Sequence, residues 1–431
     1  MLAYKKKINF LVEGMLSGVL WVTVASIISQ GFILISNFFI ARLLDITEYG
    51  EYAILKSTIS IFALFAGLGI GLTTTKFISQ YKDSDKIKAG KIIGISTFFT
   101  FISSLILVLL IIVFSKIIAE KFLNASHLSD EVKFSSMIIF FSAISGLYNG
   151  SLVGFEAYKS IAKVSFISAC IFLPLQFFLT KYFNLYGALI GLSIYYFLNC
   201  IFNYLEVVKQ KNKNNIIIEY KNFWDQFPIM YKFALPAFLS GIMVTPVLWI
   251  CNTILVNQKN GYSEMAIFDA ANQWRMAILF LPGVISQIAL PLFSKNIGDA
   301  NKFYKILKIN ILIIGAISCL VALPVSLLSK FLMSFYGKDF MHGSIVLIIL
   351  AISTILSSVN SVIGQAIVGK GYMWSGLLMN FIWAVTILIC AYFYSQSNEG
   401  AVGFAKAYLF SYILHSIVQI IFFRFFLRHK I

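Results

Sequence analysis

An all-α, polytopic membrane fold of about twelve transmembrane helices follows from three features of the sequence. Of its 431 residues, 59% are hydrophobic and only 12% are charged, with a mean hydropathy of +0.86. Apolar stretches of about twenty residues, enough helix to cross a hydrocarbon layer of about 30 Å, recur along the chain. Short clusters of Gly, Asn, Lys and Asp separate them. This composition excludes a soluble globule. The formal net charge of +16 would suggest nucleic acid for a soluble protein. In a membrane protein Lys and Arg collect in cytoplasmic loops, so the charge reports orientation, and no nucleic-acid partner is expected.

Helix starts are expected near Gly14, Glu51, Ala89, Val132, Ile161, Tyr186, Pro228, Glu264, Phe303, Phe340, Met373 and Gly400. The first follows the basic MLAYKKKINF, whose apolar continuation is too long for a signal peptide and reads as a retained helix. The second is preceded by ARLLDITEYG, where Asp45 and Glu48 have the spacing of a capping box. After the sixth comes the longest hydrophilic stretch, KQKNKNNIIIEYKNFWDQF, residues 209–227. Pro228, Pro236 and Pro246 fall in the seventh helix and Pro282 and Pro291 in the eighth, marking these two as bent. The side holding both termini carries most of the Lys and Arg, which makes it cytoplasmic.

Residues 209–227 form a cytoplasmic linker that divides the chain into an N-terminal lobe, 1–208, and a C-terminal lobe, 228–431, of six helices each. Six is even, so a duplicated half keeps its orientation and gives two pseudo-symmetric lobes about an axis along the membrane normal. The sequence carries traces of such a repeat. YGEYAIL at Tyr49 matches YSEMAIF at Tyr262, an offset of 213, and the same offset pairs Lys82 with Lys295 and YGAL at Tyr186 with EGAV at Glu399.

The densest polar run inside a span is AIFDAANQWRMAILFLP, residues 266–282. At about 100° per residue, Asp269, Asn272, Gln273, Arg275 and Met276 share a wedge of roughly 160°, with Ala271, Trp274 and Ile278 outside it. Arg275 falls near mid-bilayer, where a charge facing lipid costs about 2.5–3.5 kcal/mol. The wedge therefore faces either a water-filled cavity or an internal polar network. The offset of 213 places Lys56 opposite Asp269, so the two are candidates for an inter-lobe gate or an ion-coupling site; the alternative is that Lys56 snorkels to the interface. Arg42 and Lys406 share that ambiguity near helix ends, and Lys76 reads as an inside-positive anchor. Arg275, Arg42, Lys56 and Lys406 could neutralise a phosphate or pyrophosphate, with Asn272 and Gln273 beside them. Ser29, Gln30, Asn37, Asn199, Asn203, Asn252, Asn310, Asn360 and Gln365 either meet sugar hydroxyls or bond neighbouring helices.

Signals for catalysis are thin. His127, His342, His415 and His429 have no metal-ligand spacing, the five Cys lie unpaired in apolar segments, and GxSxG and P-loop patterns are absent. No cofactor, metal or enzymatic activity is expected.

FFIARLLDITEYGEYAILKS, AGLGIGLTTTKFISQYKD, VGFEAYK, NLYGALIGLS, LPAFLSGIMVTPVLWICNTILV, FYGKDF and EGAVGFAKAYLFSY are spread along almost the whole chain, from Phe38 to Tyr412. Their order and spacing resemble Wzx-type polysaccharide flippases of the multidrug/oligosaccharidyl-lipid/polysaccharide exporter (MOP) superfamily. The resemblance implies two MATE-like six-helix lobes around a cavity, and passage of polyprenyl-pyrophosphate-linked oligosaccharide units such as O-antigen repeats across a bacterial inner membrane. Arg42 and Arg275, then Lys56 and Asp269, are the positions carried over for the anionic head. Expected partners are the lipid-linked oligosaccharide, membrane lipids, a coupling proton or sodium ion, and a polysaccharide polymerase with its chain-length regulator. A multidrug or cation antiporter and a membrane-embedded polymerase are the alternatives.

Overall fold

The computed structural model describes residues 27–28, 30–219, 223–295, 299–370 and 372–424. The expected first start at Gly14, and Ser29 and His429, lie outside them. The described residues are helical throughout, without a strand. In chain order the helices are α1 (Gln30–Leu43), α2 (Ile46–Gly67), α3 (Ile70–Tyr81), α4 (Lys86–Ile117), α5 (Ser129–Gly154), α6 (Tyr158–Lys213) and the short α7 (Phe227–Ile229). They continue as α8 (Leu235–Ile242), α9 (Thr245–Val256), α10 (Gly261–Lys295), α11 (Ala300–Leu327), α12 (Ser329–Ser334), α13 (Ser344–Gly369), α14 (Met373–Gln396) and α15 (Gly400–Phe422).

Among the described residues, seven helical stretches are long and apolar enough to cross a membrane, and the pair α2–α3, bent by 45°, makes an eighth. The bend falls at Leu68 and Gly69, both at positive φ. At 56 residues, α6 would measure about 84 Å if straight, far beyond a hydrocarbon layer of about 30 Å. It folds back on itself instead, at Asn184 (φ 48°, ψ −132°). Gln176 donates to the Ala188 carbonyl at 3.1 Å, and the Phe172 and Tyr195 rings lie 4.9 Å apart, so its halves pack side by side. These halves correspond to the helices expected from Ile161 and Tyr186.

Lipid rather than water is the surrounding medium. Val113 on α4 is 72% exposed and Leu320 on α11 is 74% exposed, among long rows of exposed apolar side chains. In water such rows would be an aggregation surface; in a bilayer they are solvated.

The chain divides into two compact units. One holds the chain up to Leu43 together with Leu55–Thr245. Within it α5 packs on α3, α4 and α6. Residues 209–213 of the expected linker complete α6, and the apolar residues that follow are tied down. Ile216 is buried among Ile78, Ala89, Ile93, Leu152 and Val207. Gly90 lies so close under the Ile217 carbonyl that any Cβ would collide with it. Phe223 meets Phe98 tilted at 5.6 Å and Trp224 meets it edge-on at 5.5 Å, and Lys91 pairs with Asp225 at 3.2 Å.

The other unit holds Leu44–Ile54 and the chain from Pro246 on. There α13 packs against α10, α11 and α15, and α15 also packs against α10 and α14. Asp299 caps α11 by accepting from the Lys302 N–H at 3.0 Å, and that hydrogen bond holds its carboxyl below the usual range. The bend expected in the seventh helix is present as a series of short pieces, α7, a π turn (Met230–Ala234), α8 and α9. The eighth runs as one helix, α10, through both Pro282 and Pro291.

Candidate functional site

The polar run of residues 266–282 lies in α10 and builds two separate stations in the second unit. The first depends on the start of α2. Asp45 Oδ1 accepts from the Thr47 and Glu48 N–H groups, each at 2.8 Å, which fixes the helix start that the sequence spacing suggested. One turn on, Gly50 lies against the Tyr262 carbonyl, where a Cβ has no room. This close approach buries Tyr49 completely beside α10.

Tyr49 OH donates to Asp269 Oδ2 at 3.2 Å, and Gln273 Nε2 donates to the same oxygen at 2.8 Å and to Tyr49 OH at 2.9 Å. Tyr336 OH donates to Gln273 Oε1 at 3.4 Å, and the rings of Tyr49 and Phe340 meet edge to face at 5.5 Å. Asp269 Oδ2 thus accepts from two neutral donors, Tyr49 and Gln273. Nearby, Glu264 accepts from the Ala401 N–H at 2.7 Å and joins α10 to the start of α15.

The second station is Arg275, 6% exposed. Its NH1 donates to Asn272 Oδ1 at 3.2 Å and its NH2 to Tyr412 OH at 3.1 Å. The guanidinium carbon lies 4.9 Å from the Tyr408 ring centroid and 5.9 Å from that of Tyr412. Aromatic faces favour a cation but carry no net charge. Among the described residues no carboxylate pairs with Arg275, and its Nε–H has no hydrogen-bond partner. A buried guanidinium in this state can accept an anion without first giving up a protein carboxylate.

The remaining candidates separate into other settings. In the first unit Lys56 donates to Asn37 Oδ1 at 3.1 Å, and Arg42 is exposed. Lys406 is ion-paired with Glu399, so its charge is already balanced. Lys76 lies 4.0 Å over the Phe233 ring. Several of the intramembrane amides are spent locally. Asn199 and Asn310 bond carbonyls of their own helices, and Asn203 bonds Ser145. Asn360 donates to the Tyr412 carbonyl and accepts from Ser416. No group of His, Cys, Asp and Glu able to hold a metal is found among the described residues.

Sequence reasoning missed the tyrosines. Tyr49, Tyr336, Tyr408 and Tyr412 complete both stations, yet an aromatic in an apolar span looks like packing. Only the match of Tyr49 with Tyr262 at the repeat offset offered a signal.

Residues 15–297 match the family model described as polysaccharide biosynthesis protein. The EPS I polysaccharide export inner membrane protein EpsE of Ralstonia nicotianae is 20% identical over 393 residues, spanning 88% of this chain and 86% of that one. Among solved structures, an inward-facing multidrug resistance MATE family transporter of the MOP superfamily superposes with a TM-score of 0.74. It is 14% identical, and the match covers 94% of this chain and 97% of the other. The lipid II flippase MurJ in an inward closed conformation gives a TM-score of 0.74 at 17% identity, covering 93% of this chain and 86% of that one. A MOP superfamily transporter from Pyrococcus furiosus, described as having a binding pocket of reverse polarity, gives 0.71 at 14% identity, with coverage of 95% and 94%. The described residues share the all-helical fold of these transporters, and with a family match over residues 15–297 the chain belongs to the polysaccharide biosynthesis protein family.

Proposed function

We propose that this protein carries a polyprenyl-pyrophosphate-linked oligosaccharide repeat unit, of an O-antigen or related surface polysaccharide, across the bacterial inner membrane by alternating access. Both termini are cytoplasmic in this reading. The observation that carries it is Arg275: a buried guanidinium without a carboxylate partner is a receptor for an anion. Tyr408 and Tyr412 hold its plane, leaving the charge for a pyrophosphate while the lipid tail stays in the bilayer. Asn272 and Gln273 supply polar contacts beside it, and Lys56 and Arg42, in the other unit, are secondary candidates for an anionic head group. A cationic cargo would be repelled by the same charge, which disfavours a multidrug antiporter. Asp269, held by Tyr49 and Gln273, serves as the gate or coupling group, with a proton or sodium ion as the driving ion. A polymerase and its chain-length regulator receive the unit on the far side.

Deleting the gene should abolish the surface polysaccharide and accumulate lipid-linked oligosaccharide on the cytoplasmic face. Restoring the protein with Arg275→Gln should leave polymer at least about tenfold below that restored by the unaltered protein, the effect of about 1.4 kcal/mol in binding. Unchanged surface glycan in the deletion strain sinks the reading.

A further inference from the structure

The second unit contains a buried titratable side chain that this transport reading leaves unused. His415 on α15 is 7% exposed, and Gln419, one turn on, is 4% exposed. Seven residues separate His415 from Phe422, so the ring lies about 10 Å inside the end of its helix. The two side chains meet at 2.7 Å through the ring Nε2 and the amide Nε2. An amide nitrogen only donates, so the ring Nε2 accepts, and the ring is neutral with its proton on Nδ1. At the far ends of this pair, His415 Nδ1 lies beside the Met379 backbone and Gln419 Oε1 is buried without a hydrogen bond. A half-turn of the amide exchanges the roles. Oε1 then accepts from a protonated Nε2–H, so the same two side chains serve an imidazolium as well as they serve the neutral ring.

The electrostatic setting is simple. Three helices pack on α15. On α10, Arg275 reaches α15 at Tyr412, three residues before His415, while Asp269 and Glu264 lie toward its other end. Between Ser344 and Gly369, α13 has no titratable side chain. The titratable groups of α14, Cys390, Tyr392 and Tyr394, are near the end remote from Met379, which lies beside His415. On α15 itself, Lys406 is paired with Glu399, and Tyr408 and Tyr412 face Arg275. Lys370 and Arg424 lie beyond the helix ends. Arg275, bonded to Tyr412 three residues before the ring, is the charged side chain that these contacts bring toward it, and like charges repel.

We propose that His415 and Gln419 form a proton-binding site in the membrane interior, set against the charge of Arg275. Binding places one proton on His415 Nε2 and turns the Gln419 amide. Its link to transport rests on the anion reading of Arg275: an anion there cancels the opposing charge, so anion and proton binding favour each other.

Replacing His127, His342 and His429 by Gln leaves His415 as the single imidazole of the full chain, which can be followed by 13C NMR of histidine-labelled protein in nanodiscs. The ring should titrate in a single step between about pH 5 and 8. Arg275→Gln on that background should raise its proton affinity by roughly threefold or more, half a pH unit, and Gln419→Met should lower it by a similar factor. A ring that stays neutral throughout, or whose midpoint is unmoved by both substitutions, overturns the proposal. Inorganic pyrophosphate, with binding followed by calorimetry, separates the two readings. Binding that raises the midpoint supports both, and binding without a shift overturns the proton link. No binding counts against the anion site alone, because the Arg275 and Gln419 substitutions still decide the proton site.

Discussion

Asp269 and Arg275 stand six residues apart on α10, about 9 Å along its axis, yet their surroundings are opposite. The acid is held by Tyr49 and Gln273, and Gln273 is held in turn by Tyr336. The base has two neutral acceptors, two aromatic rings and, among the described residues, no acid. Both cost energy to bury in a membrane, but only one is compensated by its own protein. The difference separates a charge held by its own protein, as a gate must be when closed, from a receptor, whose unsatisfied charge keeps affinity in reserve for a ligand.

This contrast can be broken or sharpened by substitution. The largest effect is expected for Asp269→Leu, which leaves Tyr49 OH and the Gln273 amide without their acceptor. Stability should fall by about 3 kcal/mol, read as a lowered unfolding midpoint in detergent. If the midpoint is unchanged, the Asp269 network does not hold the charge as described. Next in size, and opposite in sign, is Arg275→Met. Removing an unpaired buried charge should stabilise the protein by about 1 to 2 kcal/mol while transport is lost. A variant that loses stability as well as transport would make Arg275 a packing residue and dissolve the contrast. The smallest effect is expected for Tyr49→Phe, which removes one hydrogen bond and keeps the ring. A loss of about 0.6 kcal/mol, the average for such bonds within membranes, should appear in the same unfolding assay. A loss as large as that of Asp269→Leu would show that Tyr49, rather than the carboxylate, centres the network.

Some of this was legible beforehand. The apolar segments gave the class, and helix starts at Met373 and Gly400 coincide with the observed ones. Asp45 was recognisable as a cap because capping depends on residues three apart. The wedge on α10 was legible because helical periodicity alone puts Asp269 and Gln273 one turn apart, and they are hydrogen-bonded. Other features were not. IIIEY inside the hydrophilic stretch looked like part of a linker, but Ile216 is buried, because contact with α4 across Gly90 depends on residues more than a hundred positions away. Lys406 was a candidate anion contact beside Arg275, and the position of Glu399 shows that its charge is already balanced.

Thus the sequence by itself determined the solvent, the helices and the polar face of α10, since each depends on composition or on neighbours within one or two turns. Tertiary structure decided which charges are neutralised. Whether Asp269 meets Tyr49, and whether Arg275 meets an acid, depends on contacts between side chains 220 and 137 residues apart. No local pattern encodes such distances. They arise when helices bury their faces against one another and each buried polar group must find whatever partner that packing brings within about 3 Å.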